Sequence, residues 1–143
     1  MIDDKYEYRI ATDEDRQNIL EFLLKNFLKD EPLSRASKMT EEQFLNVIVH
    51  IVDICLKDPF STVVFCKKTG TTAGVLLISI YRRTDEKQDF KFDLNSNASS
   101  AGIVGAILNE LHNSFFSLVP SHVNTVLHRY FSIDSSPVVN PCK

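Results

Sequence analysis

Asn26-Phe27-Leu28-Lys29-Asp30-Glu31-Pro32-Leu33 carries an amphipathic helical pattern into an acidic pair and ends it at a proline. Pro32 lacks an N–H and crowds the residue before it, which drives Glu31 out of helical geometry into an extended bend. With a helix behind it and a proline ahead, the Glu31 carboxylate is aimed from a fixed corner. Upstream, Ile19, Leu20, Leu23, Leu24 and Phe27 recur at helical spacing, with Phe22 and Leu28 at the margins of the stripe. Thr12 suits the N-cap of this helix, and Asp13, Glu14 and Asp15 fall in its first turn, where the helix dipole favours negative charge. Before it, Tyr6, Tyr8 and Ile10 alternate with Glu7 and Arg9, the period of a half-buried strand.

Downstream of the corner, Ser34 to Met39 reads as a polar connector. Thr40 with Gln43 matches a capping box, and Phe44, Val47, Ile48, Ile51, Ile54 and Cys55 predict a second helix to about Leu56. Two β-rich runs, Ser61 to Lys68 and Thr72 to Arg82, flank Thr69-Gly70 and predict an antiparallel hairpin, with Gly74 marking a bulge or a close backbone approach. Arg83 to Ser100, polar apart from Phe90, Phe92 and Leu94, reads as a mobile loop. A third helix is expected from about Ala101 to Phe116, with Ile103, Ile107, Leu108, Leu111 and Phe115 inward. In the last strand Val123, Thr125, Leu127, Arg129, Phe131 and Ile133 alternate with Asn124, Val126, His128, Tyr130 and Ser132, which predicts the first set on the apolar face. Residues 1–133 then form one domain and residues 134–143, with two prolines, a disordered tail.

The fold class is α/β: a mixed, largely antiparallel sheet flanked by helices, in the order strand, helix, helix, strand, strand, helix, strand. This order, with Asp30-Glu31-Pro32-Leu33, resembles the N-terminal half of the arylalkylamine N-acetyltransferases, the insect and nematode branch of the GCN5-related acetyltransferase superfamily. The likeness spans residues 5–133 as topology; at residue level it rests on Phe27 to Leu33 and, more faintly, on Arg129 to Ile133. It implies acetyl transfer from acetyl-CoA to a small arylalkylamine. Glu31 is the general base in that reading, and the backbone of Phe131, Ser132 and Ile133 holds the pantetheine arm. Members of the superfamily follow the fourth strand with Arg or Gln-x-x-Gly-x-Gly or Ala, whose N–H groups wrap the pyrophosphate. Here no glycine follows Gly105, and Pro137 and Pro141 remove donors from the segment after Ile133. That departure supports a second expectation, a truncated and catalytically silent fragment that self-associates through the exposed edge of its last strand.

Composition narrows the remaining classes. A chain of 143 residues, 43% hydrophobic, is long enough for one domain with a substantial core. Sixteen Lys and Arg against 19 Asp and Glu, in no long block of either sign, give no support for a nucleic-acid partner. No apolar run approaches the roughly 20 residues of a membrane span, and Met1 to Lys5 does not read as a secretory signal, so a cytoplasmic protein is expected. Three cysteines without close pairing suggest neither a disulfide framework nor zinc; Cys55 and Cys66 read as small buried apolar residues and Cys142 as an exposed thiol. His50 and His112 suit boundary positions on helices and His122 a loop, while His128 either lines a cleft beside the last strand or faces solvent. Their spacing suggests no metal. Lys67-Lys68-Thr69-Gly70 reads as a turn rather than a phosphate loop.

Overall fold

The alternating Tyr6–Ile10 run forms β1 at one edge of a four-stranded sheet whose order is β1, β2 (Thr62–Cys66), β3 (Thr72–Arg82) and β4 (Thr125–Asp134), each neighbouring pair antiparallel. The computed structural model describes residues 4–85 and 100–134. Of the expected loop, Arg83 to Ser100, residues 86–99 lie outside the described residues, as do residues 135–143 of the expected tail; Ser100 begins the helix α4 and Asp134 closes β4. After β1, a 3-10 turn over Asp13–Asp15 leads into α1 (Arg16–Asp30), then α2 (Pro32–Ser37), α3 (Glu41–Cys55) and, between β3 and β4, α4 (Ser100–Leu118). The sheet is antiparallel because its central pair is a hairpin turned at Gly70, whose φ of +69° is the left-handed conformation that glycine adopts without strain.

The core lies between one face of the sheet and the pair α1 and α3. Ile19 and Leu23 of α1, Ile48 and Val52 of α3, and Val63 and Leu77 of the sheet are all sealed from solvent. Each such side chain contributes about 1.5–3 kcal/mol by burial. Phe22, expected at the margin of α1, belongs to the same cluster. The capping box at α3 forms as its sequence requires, Thr40 Oγ1 accepting from Gln43 N and Gln43 Oε1 from Thr40 N. At the other end of the core, Arg9 donates to the buried Asp15 from both terminal guanidinium nitrogens, Nη1 and Nη2, at 2.7 and 2.5 Å.

Four expectations need correction. The connector after the corner contains a helix, α2, because Pro32 at its first position and the Glu31 side chain ahead of it organise the turn. It ends in a Schellman motif, Met39 N to Ser34 O and Lys38 N to Arg35 O, with Lys38 at φ +54° in the place where glycine is the usual signal. Arg83 anchors rather than begins a loop: its guanidinium donates to the carbonyls of Phe116, Pro120 and Val123 and lies over the Phe116 ring. The face of α4 is rotated from the expected one: Val104 and His112 are buried and Leu108 and Phe115 partly so, whereas Ile103, Ile107 and Leu111 are exposed. Finally, Cys66 is disulfide-bonded, whereas Cys55 is the buried free thiol its apolar surroundings suggested.

Strand β4 departs from simple alternation for a physical reason. Its register against β3 shifts between Leu77, which faces Phe131, and Ile78, which faces Arg129, so that Tyr130 is the extra residue of a bulge. A bulge reverses the side-chain parity. Val126, His128 and Tyr130 before it and Phe131 and Ile133 after it all turn toward the helices, while Leu127, Arg129 and Ser132 lie on the opposite face. The bulge beside Gly74 on β3 is present as well, Ala73 being unmatched between Thr72 and Gly74.

Candidate functional site

The corner that ends α1 is built as its sequence dictates. Glu31 has φ −73° and ψ 122°, extended, and its N–H still closes the last turn of α1 on Phe27 O. Its carbonyl accepts from Arg35 N, and its carboxylate oxygen Oε2 accepts from Ser34 N, so the residue terminates one helix and caps the next. A carboxylate offers about four lone-pair positions, and capping α2 occupies one of them.

Behind the corner lies a cavity of about 590 Å³. Phe27 and Glu31 form one side; Met39, Phe44, Val47 and Ile51 form the floor; α4 contributes Val104, Leu108, His112 and Phe115, and the bulged part of β4 contributes His128, Tyr130 and Phe131. Phe27 organises this lining through an edge-on contact with Phe131, 4.7 Å between centroids, and a stacked one with Phe44, 5.7 Å. Glu31 is the one acidic side chain in the wall among the described residues; Arg129 borders the cavity from β4 with its side chain on the opposite face of the sheet.

Another part of the wall is aromatic and polar yet uncharged. Tyr81, His112, His128 and Tyr130 form a chain of rings, with centroid separations of 3.9, 5.1 and 4.1 Å in that order. Burial, reinforced by neighbouring His128, pushes the His112 imidazolium down to about 4, and burial also lowers His128. Burial drives the Tyr130 phenol up to about 12. At neutral pH these groups are therefore neutral hydrogen-bonding surfaces. Tyr81 Oη donates to His112 O at 3.2 Å and the Tyr130 hydroxyl has Ser79 beside it, whereas His128 Nδ1 is buried without a hydrogen-bond partner among the described residues. Such an atom suits a polar ligand group that completes it.

Of the residues singled out by sequence, Glu31 and Phe131 line the cavity together. Ile133 faces the core alongside them, and Ser132 is exposed on the opposite face of the sheet, across from Leu76. Sequence reasoning missed Tyr81, His112 and Tyr130. Tyr81 sits in an apolar strand pattern that reads as core, His112 reads as a boundary position of its helix, and Tyr130 is brought inward by a bulge that alternation alone does not reveal. Among the described residues no group of three or more His, Cys, Asp or Glu is placed to hold a metal ion, and no helix is long and apolar enough to cross a membrane.

Solved structures share this fold. Arylalkylamine N-acetyltransferase 2 from Aedes aegypti superposes over 92% of this chain and 62% of its own length, with a TM-score of 0.68 at 21% identity. A mosquito arylalkylamine N-acetyltransferase like 5b covers 94% of this chain and 62% of its own, with a TM-score of 0.70 at 11% identity. The C-terminal condensation domain of Ebony, in complex with β-alanyl-dopamine, covers 93% and 60%, with a TM-score of 0.66 at 19% identity. The chain thus spans about three fifths of the length of these structures. No protein-family model and no curated protein matches the sequence.

Proposed function

We propose that the cavity is the acceptor site of an acetyl-CoA-dependent N-acetyltransferase-like protein acting on a small arylalkylamine, with Glu31 as its base. The observation that carries this reading is a carboxylate, the one acidic side chain of the wall among the described residues, set in a largely apolar and aromatic cavity in a fold shared with arylalkylamine N-acetyltransferases. An arylalkylamine has the matching asymmetry. Its ring is at home among Phe27, Phe44 and Phe131, and its nitrogen donates to the carboxylate. Acetyl-CoA, when bound, supplies the acetyl group as a thioester. Strand β4 has no neighbour beyond it in the sheet among the described residues, so the backbone of Phe131, Ser132 and Ile133 is suited to pair with an amide-bearing pantetheine arm. The sequence after β4 holds no glycine-rich turn for the pyrophosphate. Glu31 has one task in this scheme: to accept, directly or through a water, the proton that the amine nitrogen gives up as its lone pair forms the new bond.

Titration of the chain with acetyl-CoA, followed by calorimetry, tests the reading, which expects saturable micromolar binding. Glu31→Gln keeps an oxygen to accept from Ser34 N and should leave folding and acetyl-CoA binding unchanged, while lowering amine acetylation by about 100-fold, the usual effect of losing a general base. Absence of acetyl-CoA binding defeats this reading and leaves the second, which the glycine-free stretch from Asp134 to Lys143 and the edge of β4, open among the described residues, favour: a catalytically silent interaction module that self-associates through β4. Neither nucleic acid nor a membrane enters either reading.

A further inference from the structure

We propose that His128 reads the ring of the acceptor: its imidazole forms a hydrogen bond with a hydroxyl group on the aromatic ring of the amine, so that the cavity selects hydroxylated arylalkylamines. The inference rests on the acceptor-site reading and adds to it the chemistry of the ring. Within the cluster of rings in the wall, Tyr81 Oη is engaged by His112 O and the Tyr130 hydroxyl has Ser79 beside it. His128 Nδ1, in contrast, is buried without a hydrogen-bond partner among the described residues. A buried nitrogen left unmatched is a standing cost to the fold, so its place in the wall of a cavity points to a ligand that completes it.

The surroundings of that nitrogen select its partner. Burial keeps the His128 imidazole neutral at pH 7, and the rings stacked on it, His112 and Tyr130 at 5.1 and 4.1 Å between centroids, are neutral as well. Arg129, next in the chain, directs its side chain to the opposite face of the sheet. A carboxylate or phosphate therefore meets no cation beside His128, and the amine nitrogen has its match in Glu31. A hydroxyl suits a neutral imidazole in either tautomer, because it accepts from Nδ1–H and donates to a bare Nδ1; a carbonyl does only the first. That hydroxyl belongs on a ring. Phe131, one of the side chains about the acceptor's ring, lies three residues along β4 from His128, within about 10 Å of strand, and the bulge at Tyr130 turns both toward the helices. Nδ1 is sealed as the imidazole stands, but His128 as a whole is only partly buried and borders the cavity. A half-turn about Cβ–Cγ exchanges Nδ1 with Cδ2 and keeps the ring in its stack.

Calorimetric titration of the full chain at pH 7, alone and with CoA present, tests it with three probes: 3- and 4-hydroxyphenethylamine, and 4-methylphenethylamine, which matches them in size without the hydroxyl. The better of the two hydroxylated amines is expected to bind about 10-fold more tightly than the methyl analogue. His128→Phe keeps a ring in the stack and removes both nitrogens; with a native circular dichroism spectrum, it should bring that ratio to within about 2-fold. In the ¹⁵N-labelled parent chain a histidine ring nitrogen should shift on adding the hydroxylated amine and not on adding the methyl analogue, a readout that stands even where the variant does not fold. Equal binding of hydroxylated and methylated amines overturns the proposal and leaves the acceptor-site reading in place. The same holds for a preference that persists in folded His128→Phe, or for histidine nitrogens of the parent that do not respond. If none of the three amines binds, with or without CoA, the acceptor-site reading falls and this inference falls with it.

Discussion

Ser61, buried completely, joins three elements through one residue. Its hydroxyl donates to Cys55 O at the end of α3 at 2.9 Å and accepts from Ile78 N of β3 at 3.1 Å, and its carbonyl accepts from Ala11 N after β1. Ile78 is the residue at which β3 loses register with the bulged β4, so the hydroxyl serves a backbone group where the ladder is irregular. Ser61→Ala strands a buried N–H and a buried carbonyl; a loss of about 1–3 kcal/mol in urea unfolding is expected, with the native spectrum retained. Nothing in the sequence marks Ser61, because its partners are backbone atoms brought together only by folding. Glu31 is the opposite case. Its bend comes from the adjacent Pro32, a covalent neighbour, and was legible before any tertiary contact was known. Its capping of α2 was not, because Ser34 reads as part of a loop until the turn is seen closing on it.

At the scale of elements, α4 and β4 divide what the sequence discloses. Periodicity places both, and the wide apolar arc of α4 is visible in it, but a wide arc does not say which part meets the core. On β4 the alternation holds only up to Tyr130, and the bulge there decides which rings enter the cavity. The two elements are tied by Arg83, which satisfies the carbonyl of Phe116 near the end of α4 and those of Pro120 and Val123 in the connection to β4. A cation at a helix C-terminus is favoured by the dipole as well. Arg83→Met keeps the apolar stem over Phe116 and removes the donors. It should cost about 2 kcal/mol globally, and in hydrogen exchange the amides of the last turn of α4 should lose protection before those of α3. Uniform loss across both helices would mean that Arg83 does not hold that junction.

For the molecule as a whole, two buried titratable groups divide its acid response into separate windows. His112, stacked on Tyr81 and facing His128, is held down to about 4 chiefly by burial, with Asp85 acting in the opposite direction. An unfolded histidine titrates near 6.5, so between about 6.5 and 4 the unfolded chain binds the proton first. The stability that neutral His112 contributes is complete above that range and is lost as pH falls across it, on the order of 2 kcal/mol. His128, lowered by burial too, adds in the same direction. Asp15 behaves differently: hydrogen bonds from Arg9 hold its carboxyl below the usual carboxylate range, so its contribution persists above about 3.9 and disappears as pH falls through its folded value. Urea midpoints measured from pH 8 to pH 3 should therefore decline in two stages. His112→Phe keeps a ring against Tyr81 without a titratable proton and should flatten the stage between pH 6.5 and 4. Asp15→Asn should lower stability by about 2 kcal/mol at neutral pH, leave that first stage intact and remove the steepest fall below pH 4. A His112→Phe chain that declines as steeply as the parent between pH 6.5 and 4 would show that the imidazole buried in the cavity wall is not what loosens the fold in mild acid.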